Sequence, residues 1–317
     1  MSSQAQIRPR GSFLRSVRIE RDFTDRDILS SIVVSKEFVD LTERIIKGLR
    51  PESKSRAFRL VGDYGSGKST FALFLAHLFG SKDAQTLPEH IQEALQTLGD
   101  ISRPALLPVL VTGERRQLGQ AIHDGLSWAL DVHGLESVRK SKTVRDLLAK
   151  EALKGNEVLQ LLRKANELIA NSSEFSGILL VVDEAGKFLE YSASHTESDV
   201  FIWQLLAEEA MSSGDSPFVI LSILHQAFAS YAQTLRLEQT NEWNKVAGRY
   251  EELNFRANIG HTARLISAAL NTDIDHLSAA DSKQQKKLMQ TALAHGWFGA
   301  SQDTDELIGI DPSLYPL

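Results

Sequence analysis

The sequence contains no cysteine. Disulfides, thiolate metal sites and cysteine nucleophiles are therefore excluded, and a cytoplasmic location is expected. No apolar run approaches the roughly 18 residues of a membrane span, so no transmembrane helix is expected. The N-terminus is polar and arginine-bearing, without an apolar h-region, and does not read as a secretory signal. With 35 Lys and Arg against 41 Asp and Glu, the net charge is −6. A chain-wide basic footprint for nucleic acid is absent, and only a local patch stays open. The nine histidines are scattered with no His-x-x-x-His pair, and no Gly-x-Ser-x-Gly elbow supports a serine hydrolase. Repeats and low-complexity segments are missing too. What remains is a 317-residue chain, 42% hydrophobic and 24% charged. That balance suits one large α/β core with a smaller domain.

The chain is organised around Gly62-Asp63-Tyr64-Gly65-Ser66-Gly67-Lys68-Ser69-Thr70. This is the P-loop pattern: Gly, four residues, Gly, Lys, Ser or Thr. A short strand, residues 57–61, precedes it. A helix apolar on most sides, residues 70–79, follows, and Gly80 suits its end. Gly62, Gly65 and Gly67 let the backbone turn tightly and approach a ligand. Successive N–H groups then form an anion-binding nest at a helix N-terminus. Lys68 reaches the β- and γ-phosphates, the Ser69 hydroxyl binds Mg²⁺, and Thr70 touches the α-phosphate.

Read in order, the chain starts with a basic arm, residues 1–28, whose first twelve residues are polar and mobile. An amphipathic helix is predicted over 36–49, with Ser35 as its N-cap. Further helices are expected at 89–99, 117–131, 197–211, 227–236 and 240–248. Residues 134–171 read as a polar helical insertion. Strands are predicted at 106–112, weakened by Pro108, at 178–184, at 217–224, and at 249–255 as an edge. From 256 onward the pattern reads as helices only, at 260–270, 274–277 and 282–295, forming a lid. Alternating strands and helices predict a parallel sheet covered on both faces, with ligands at the C-terminal strand ends. Gly62, Thr112, Asp183 and His225 then share one rim.

Those positions define the candidate chemistry. Asp183, after the apolar run 178–182, holds Mg²⁺ directly or through water together with Ser69. Glu184 polarises the attacking water as general base. His225 or Gln226, ending the fourth strand, senses the γ-phosphate. Arg249, or Arg115 and Arg116, could stabilise transition-state charge, against the plainer reading of surface salt bridges. Lys187, Phe188 and Glu190 either orient the Asp-Glu pair or simply pack.

Three stretches carry a family resemblance: residues 62–69; Val182-Asp183-Glu184-Ala185-Gly186-Lys187-Phe188-Leu189-Glu190-Tyr191; and Leu224-His225-Gln226 with Trp243-Asn244-Lys245-Val246-Ala247-Gly248-Arg249-Tyr250. Over residues 30–317 the chain resembles the ATPase subunits of bacterial anti-phage systems, the BREX-type phage-exclusion ATPases in particular. These are similar to AAA+ and STAND proteins with an origin-recognition-like core. The resemblance implies ATP as nucleotide, homo-oligomerisation and other defence-system proteins as partners. It also implies continuation past Leu314-Tyr315-Pro316-Leu317 into further domains.

The expected fold is a three-layer P-loop NTPase sandwich. It has a five-stranded, mainly parallel sheet and an additional strand between the P-loop strand and the Asp-Glu strand. The core spans 29–255 with the insertion at 134–171, and a helical lid follows over 256–317. The expected function is Mg²⁺-dependent ATP hydrolysis driving assembly or a conformational switch. Val33 and Val34 either pack on the adenine or belong to the core. Two alternatives stay open: a DNA-binding loader or motor like the origin-recognition ATPases, and a non-hydrolysing nucleotide switch.

Overall fold

The computed structural model describes residues 7–9, 16–50, 52–53, 55–81, 86–96, 103–171, 175–194, 201–226, 230–231, 237–256, 265, 270–272, 287, 290–291 and 295. The chain divides into two compact units. The larger comprises Val17–Arg26 and Lys36–Phe255; the smaller comprises Met1–Ser16, Asp27–Ser35 and Arg256–Leu317.

The larger unit runs α1 (Ile19–Phe23), α2 (Lys36–Gly48), β1 (Ala57–Val61), α3 (Lys68–Phe79), α4 (Glu89–Gln96), β2 (Leu106–Thr112), α5 (Leu118–Val132), α6 (Glu136–Lys140), α7 (Lys142–Leu148) and α8 (Gly155–Asn171). It continues with β3 (Gly177–Asp183), α9 (Gly186–Ser194), α10 (Phe201–Ser212), β4 (Phe218–Leu224), α11 (Leu237–Ala247) and β5 (Glu251–Asn254). The strands form one sheet in the order β2-β3-β4-β1-β5, with every pairing parallel. β4 is thus the additional strand between the P-loop strand and the Asp-Glu strand.

All seven residues of β3 and of β4 are buried, as strands covered on both faces require. The period of two sends alternate side chains to opposite layers. Leu107, Val109 and Val111 join Ile178, Leu180 and Val182 in a core built with α5, α8 and α10. The intervening residues face the other layer, where α3 packs on β2 and β3 and on α1. On that side Phe38 of α2 meets Phe71 and Phe74 of α3, with ring centroids 5.1 and 5.7 Å apart. α3 is buried nearly all round, which is why its apolar residues show so little helical periodicity. Pro108 is tolerated because β2 is an edge strand, paired only with β3. At the other edge, Tyr250 leads into β5 and its buried hydroxyl donates to the Trp203 carbonyl at 2.7 Å.

Two expectations are corrected in the smaller unit. Ile7–Pro9, inside the stretch read as mobile, is a strand; its partner Leu270–Thr272 lies in the region read as helices only. They pair antiparallel, Ile7 opposite Thr272. Three-residue strands carry too little periodicity to be legible. Within the segment read as a basic arm, Ile19–Phe23 is helical, with Ile19 and Phe23 buried. The helices expected at 227–236, 260–270, 274–277 and 282–295, and hence the lid, fall almost wholly outside the described residues. Among the described residues no helix is long and apolar enough to cross a membrane.

The buried ladder predicts a stability effect. Leu180→Ala, at a fully buried position in the centre of the sheet, should lower unfolding free energy by about 2–5 kcal/mol, read from urea denaturation.

Candidate functional site

Strand register assembles the site. Val61 lies opposite Leu224 and Asn254, and Thr112 opposite Asp183. Gly62, Gly113, Glu184 and His225 therefore leave the sheet along one rim, with β4 carrying His225 out between the Gly-rich turn and the acidic pair. The three-residue spacing from turn to helix seats Lys68 at the start of α3, after Gly67 in the left-handed conformation (φ 103). Gly65 is also left-handed, at φ 72. Both are backbone states that glycine adopts without steric cost. At Gly62 a Cβ would collide with the Phe255 carbonyl oxygen. First-turn amides of a helix have no intrahelical acceptor, so the turn and α3 together present donors to an anion.

Lys68 is buried, and its ammonium is bonded to the loop's own carbonyls, Gly62 O at 2.6 Å and Asp63 O at 2.5 Å. Burial lowers its pKa, while Asp183 and Asp63 oppose that shift. The Ser69 hydroxyl donates to the Asp183 carboxylate. Asp183 is itself 3% exposed. Its pKa is raised, first by burial and further by neighbouring Glu184 and Glu20, against the Ser69 hydroxyl and the Glu184 N–H. A buried carboxylate carrying this excess of negative charge fits a cation. Among the described residues no group of three or more His, Asp or Glu side chains could hold a metal ion.

Glu184 has φ 48, in the left-handed region that non-glycine residues seldom occupy. Several contacts hold it there. Its N–H donates to Asp183 Oδ1 at 2.8 Å and its carbonyl accepts from Lys187 N at 3.0 Å. The next amide, Ala185 N, donates to Ile223 O at 2.9 Å. Its carbonyl also lies where a Cβ of Gly113 would stand, so only glycine fits after β2. Strain of this kind, about 1–3 kcal/mol, persists where surrounding structure over-determines it. The Glu184 carboxylate forms an ion pair with Lys187, both partly exposed.

The two strand-end candidates separate. His225 is pushed to lower pKa by burial and by Lys68, with Lys187 adding and Glu184 opposing, so it lies among the site's charges. Gln226 is exposed and hydrogen-bonds Tyr231. Arg249 is not brought to this rim. It precedes β5, whose far end is level with Val61, and its guanidinium pairs with Glu208 at 3.1 Å. The four-residue strand Glu251–Asn254, about 10 Å long at strand rise, lies between it and the rim. Arg116 pairs with Glu114 and Asp124; Arg115 is exposed at the rim, just beyond β2. Val33 and Val34 belong to the smaller unit.

Two residues have no local signal in the sequence. Glu20 of α1 accepts hydrogen bonds from both the Thr112 N–H and the Thr112 hydroxyl, at 2.5 Å each. It thereby caps β2 beside Asp183. The Tyr231 hydroxyl oxygen accepts from the His225 backbone N–H, and it fills the space a Cβ of Gly186 would need. It thus ties the end of β4 to the start of α9.

The strand order and the Gly-rich turn define a P-loop NTPase fold of the additional-strand class. No family model matches the sequence, and no curated protein matches it. One solved structure similar to the chain is the ORC2 protein of Aeropyrum pernix, determined as ADPNP–ADP complexes. It is 15% identical, covers 87% of this chain and 68% of that one, and gives a TM-score of 0.47.

Asp183 yields a prediction of opposite sign for stability and for metal response. A carboxyl with a raised folded pKa holds its proton more tightly in the native state. Its ionised form costs stability, and the cost grows as pH rises from the unfolded toward the folded value. At neutral pH, Asp183→Asn should raise the thermal midpoint of the nucleotide-free protein and abolish the further rise on adding Mg²⁺ with ATP.

Proposed function

We propose that the chain binds ATP with Mg²⁺ and hydrolyses it as an AAA+-type ATPase. One observation carries the reading: Ser69 of the P-loop helix donates to Asp183, with Lys68 and Glu184 on either side. In this reading the amides of residues 62–70 bind the phosphates, and Lys68 exchanges two loop carbonyls for phosphate oxygens. Ser69 and Asp183 hold Mg²⁺, which when bound neutralises charge on the phosphate oxygens. Glu184 orients the attacking water and accepts its proton. Its ion pair with Lys187 is exposed enough to be worth only about 0–1 kcal/mol, so Glu184 leaves it at little cost. His225, between the P-loop strand and the acidic strand, faces the γ-phosphate. Gln226 serves its backbone geometry through Tyr231.

Arg249 acts in this scheme from a second copy. Its place at the N-terminal end of β5 puts it beyond reach of its own P-loop, and its exposed pairing with Glu208 is readily exchanged. Hydrolysis then drives assembly or conformational switching. Service in bacterial anti-phage defence, in the cytoplasm and with other defence-system proteins, rests on the stretches at 182–191 and 243–250. The DNA-loader alternative gains little from the helical insertion, because Arg139, Lys140, Arg145 and Lys150 are each paired with a carboxylate.

Two experiments test this. Lys68→Ala should abolish ATP binding in calorimetry. Glu184→Gln should keep binding and reduce turnover by about 10²–10⁴-fold; unchanged turnover would remove Glu184 from the mechanism. Separately, specific activity should rise with protein concentration, and Arg249→Ala should remove that rise, lowering turnover by about 10³-fold or more. Concentration-independent activity that survives Arg249→Ala would exclude the trans role.

A further inference from the structure

Tyr64 stands at the tip of the Gly-rich turn, 80% exposed. A tyrosine ring offers two flat faces for stacking. Here one face is used: the ring lies flat on the His225 imidazole, with centroids 3.6 Å apart and planes 13° from parallel. Both imidazole nitrogens, Nδ1 and Nε2, are shut off from solvent and neither has a hydrogen-bond partner. The charged groups whose fields act on the ring are Lys68, Glu184 and Lys187. The backbone at His225 is held separately, its N–H donating to the Tyr231 hydroxyl oxygen. The imidazole is therefore fixed on one side by Tyr64, its donor and acceptor capacity is unspent, and two of the charges that act on it are Lys68 and Glu184, the groups assigned to phosphate and water.

We propose that Tyr64 is a positioning residue: its ring clamps the His225 imidazole in the phosphate pocket, so that the nitrogens are presented to the γ-phosphate when the Gly-rich turn is occupied. The proposal rests on the hydrolysis reading above and deepens it. The P-loop pattern leaves residue 64 unrestricted, yet its side chain links the turn to the end of β4. Two parts of the site far apart in sequence then move as one. Displacement of the turn by a triphosphate displaces the ring that holds His225.

The test uses the full chain with isotope-labelled histidine, the His225 signals being assigned from His225→Ala. In the nucleotide-free protein the Cδ2 and Cε1 protons of His225 should be shifted upfield by the tyrosine ring. Tyr64→Ala should return them to ordinary positions and Tyr64→Phe should keep the shift. In kinetics, Tyr64→Ala should lower kcat on the order of 10²-fold with little change in KM. Tyr64→Phe should recover the rate, and Tyr64→Ala with His225→Ala should be no slower than His225→Ala alone. An unmoved histidine signal in Tyr64→Ala overturns the proposal, as do additive losses in the double variant. A His225→Ala protein that turns over normally while Glu184→Gln does not also overturns it, and leaves the hydrolysis reading intact. If the wild type binds no more ATP than Lys68→Ala, the hydrolysis reading fails and the proposal falls with it, whatever the ring shift shows.

Discussion

The position of β4 between β1 and β3 is the constraint on which the site depends. Had the P-loop strand paired directly with the acidic strand, their ends would stand about 4.8 Å apart. With β4 inserted the gap is about 10 Å, two strand spacings. Ser69 bridges it from above, out of the first turn of α3, and donates to Asp183. His225 closes it from below, at the end of β4. The ladder is parallel throughout, so all three groups leave the sheet at the same rim. An antiparallel β4 would have carried His225 to the opposite side of the molecule.

That rim concentrates unlike charges in a partly dry environment. Lys68 and Asp183 are both buried, and burial disfavours the charged form of each. Asp183 partly relieves Lys68, raising its pKa against the pull of desolvation. Glu20 and Glu184 add negative charge next to Asp183. The arrangement is electrostatically incomplete in the direction that a divalent cation with a polyphosphate would complete. The positive φ of Glu184 belongs to the same economy of structure. Four contacts, from Asp183, Lys187, Ile223 and the bare Cα of Gly113, hold a backbone state that an isolated glutamate would avoid.

The opposite rim carries its own chemistry. Arg249 sits where β5 begins, while the P-loop sits where β1 ends, and the parallel pairing of the two strands separates them by the strand length. A group at that rim is held away from its own P-loop. Tyr250, next in the chain, is anchored by its hydroxyl to Trp203, which fixes the point from which the Arg249 side chain extends.

Much of this was legible in the chain. The strand residues of β3 and β4 are continuous apolar runs because both faces of those strands are covered. The Gly-rich turn is a local backbone motif in which the requirement for positive φ selects glycine at Gly65 and Gly67. The parallel sheet and the acidic pair at its rim followed from alternating periodicities. Pro108 weakened the reading of β2 because edge placement is decided by which strands pair, not by the strand's own residues. The strand at Leu270–Thr272 was hidden because three residues carry no period, and its partner Ile7–Pro9 lies some 260 residues away in the chain. Glu20, Tyr231 and the stack of Tyr64 on His225 were likewise invisible, since each is a side-chain contact between distant segments. By itself the sequence determined which backbone segments bend, pair and bury, because those choices follow from local sterics and hydrophobic period. Only the tertiary structure decided which side chains meet at the rim, because that depends on strand order and register, which no local pattern encodes.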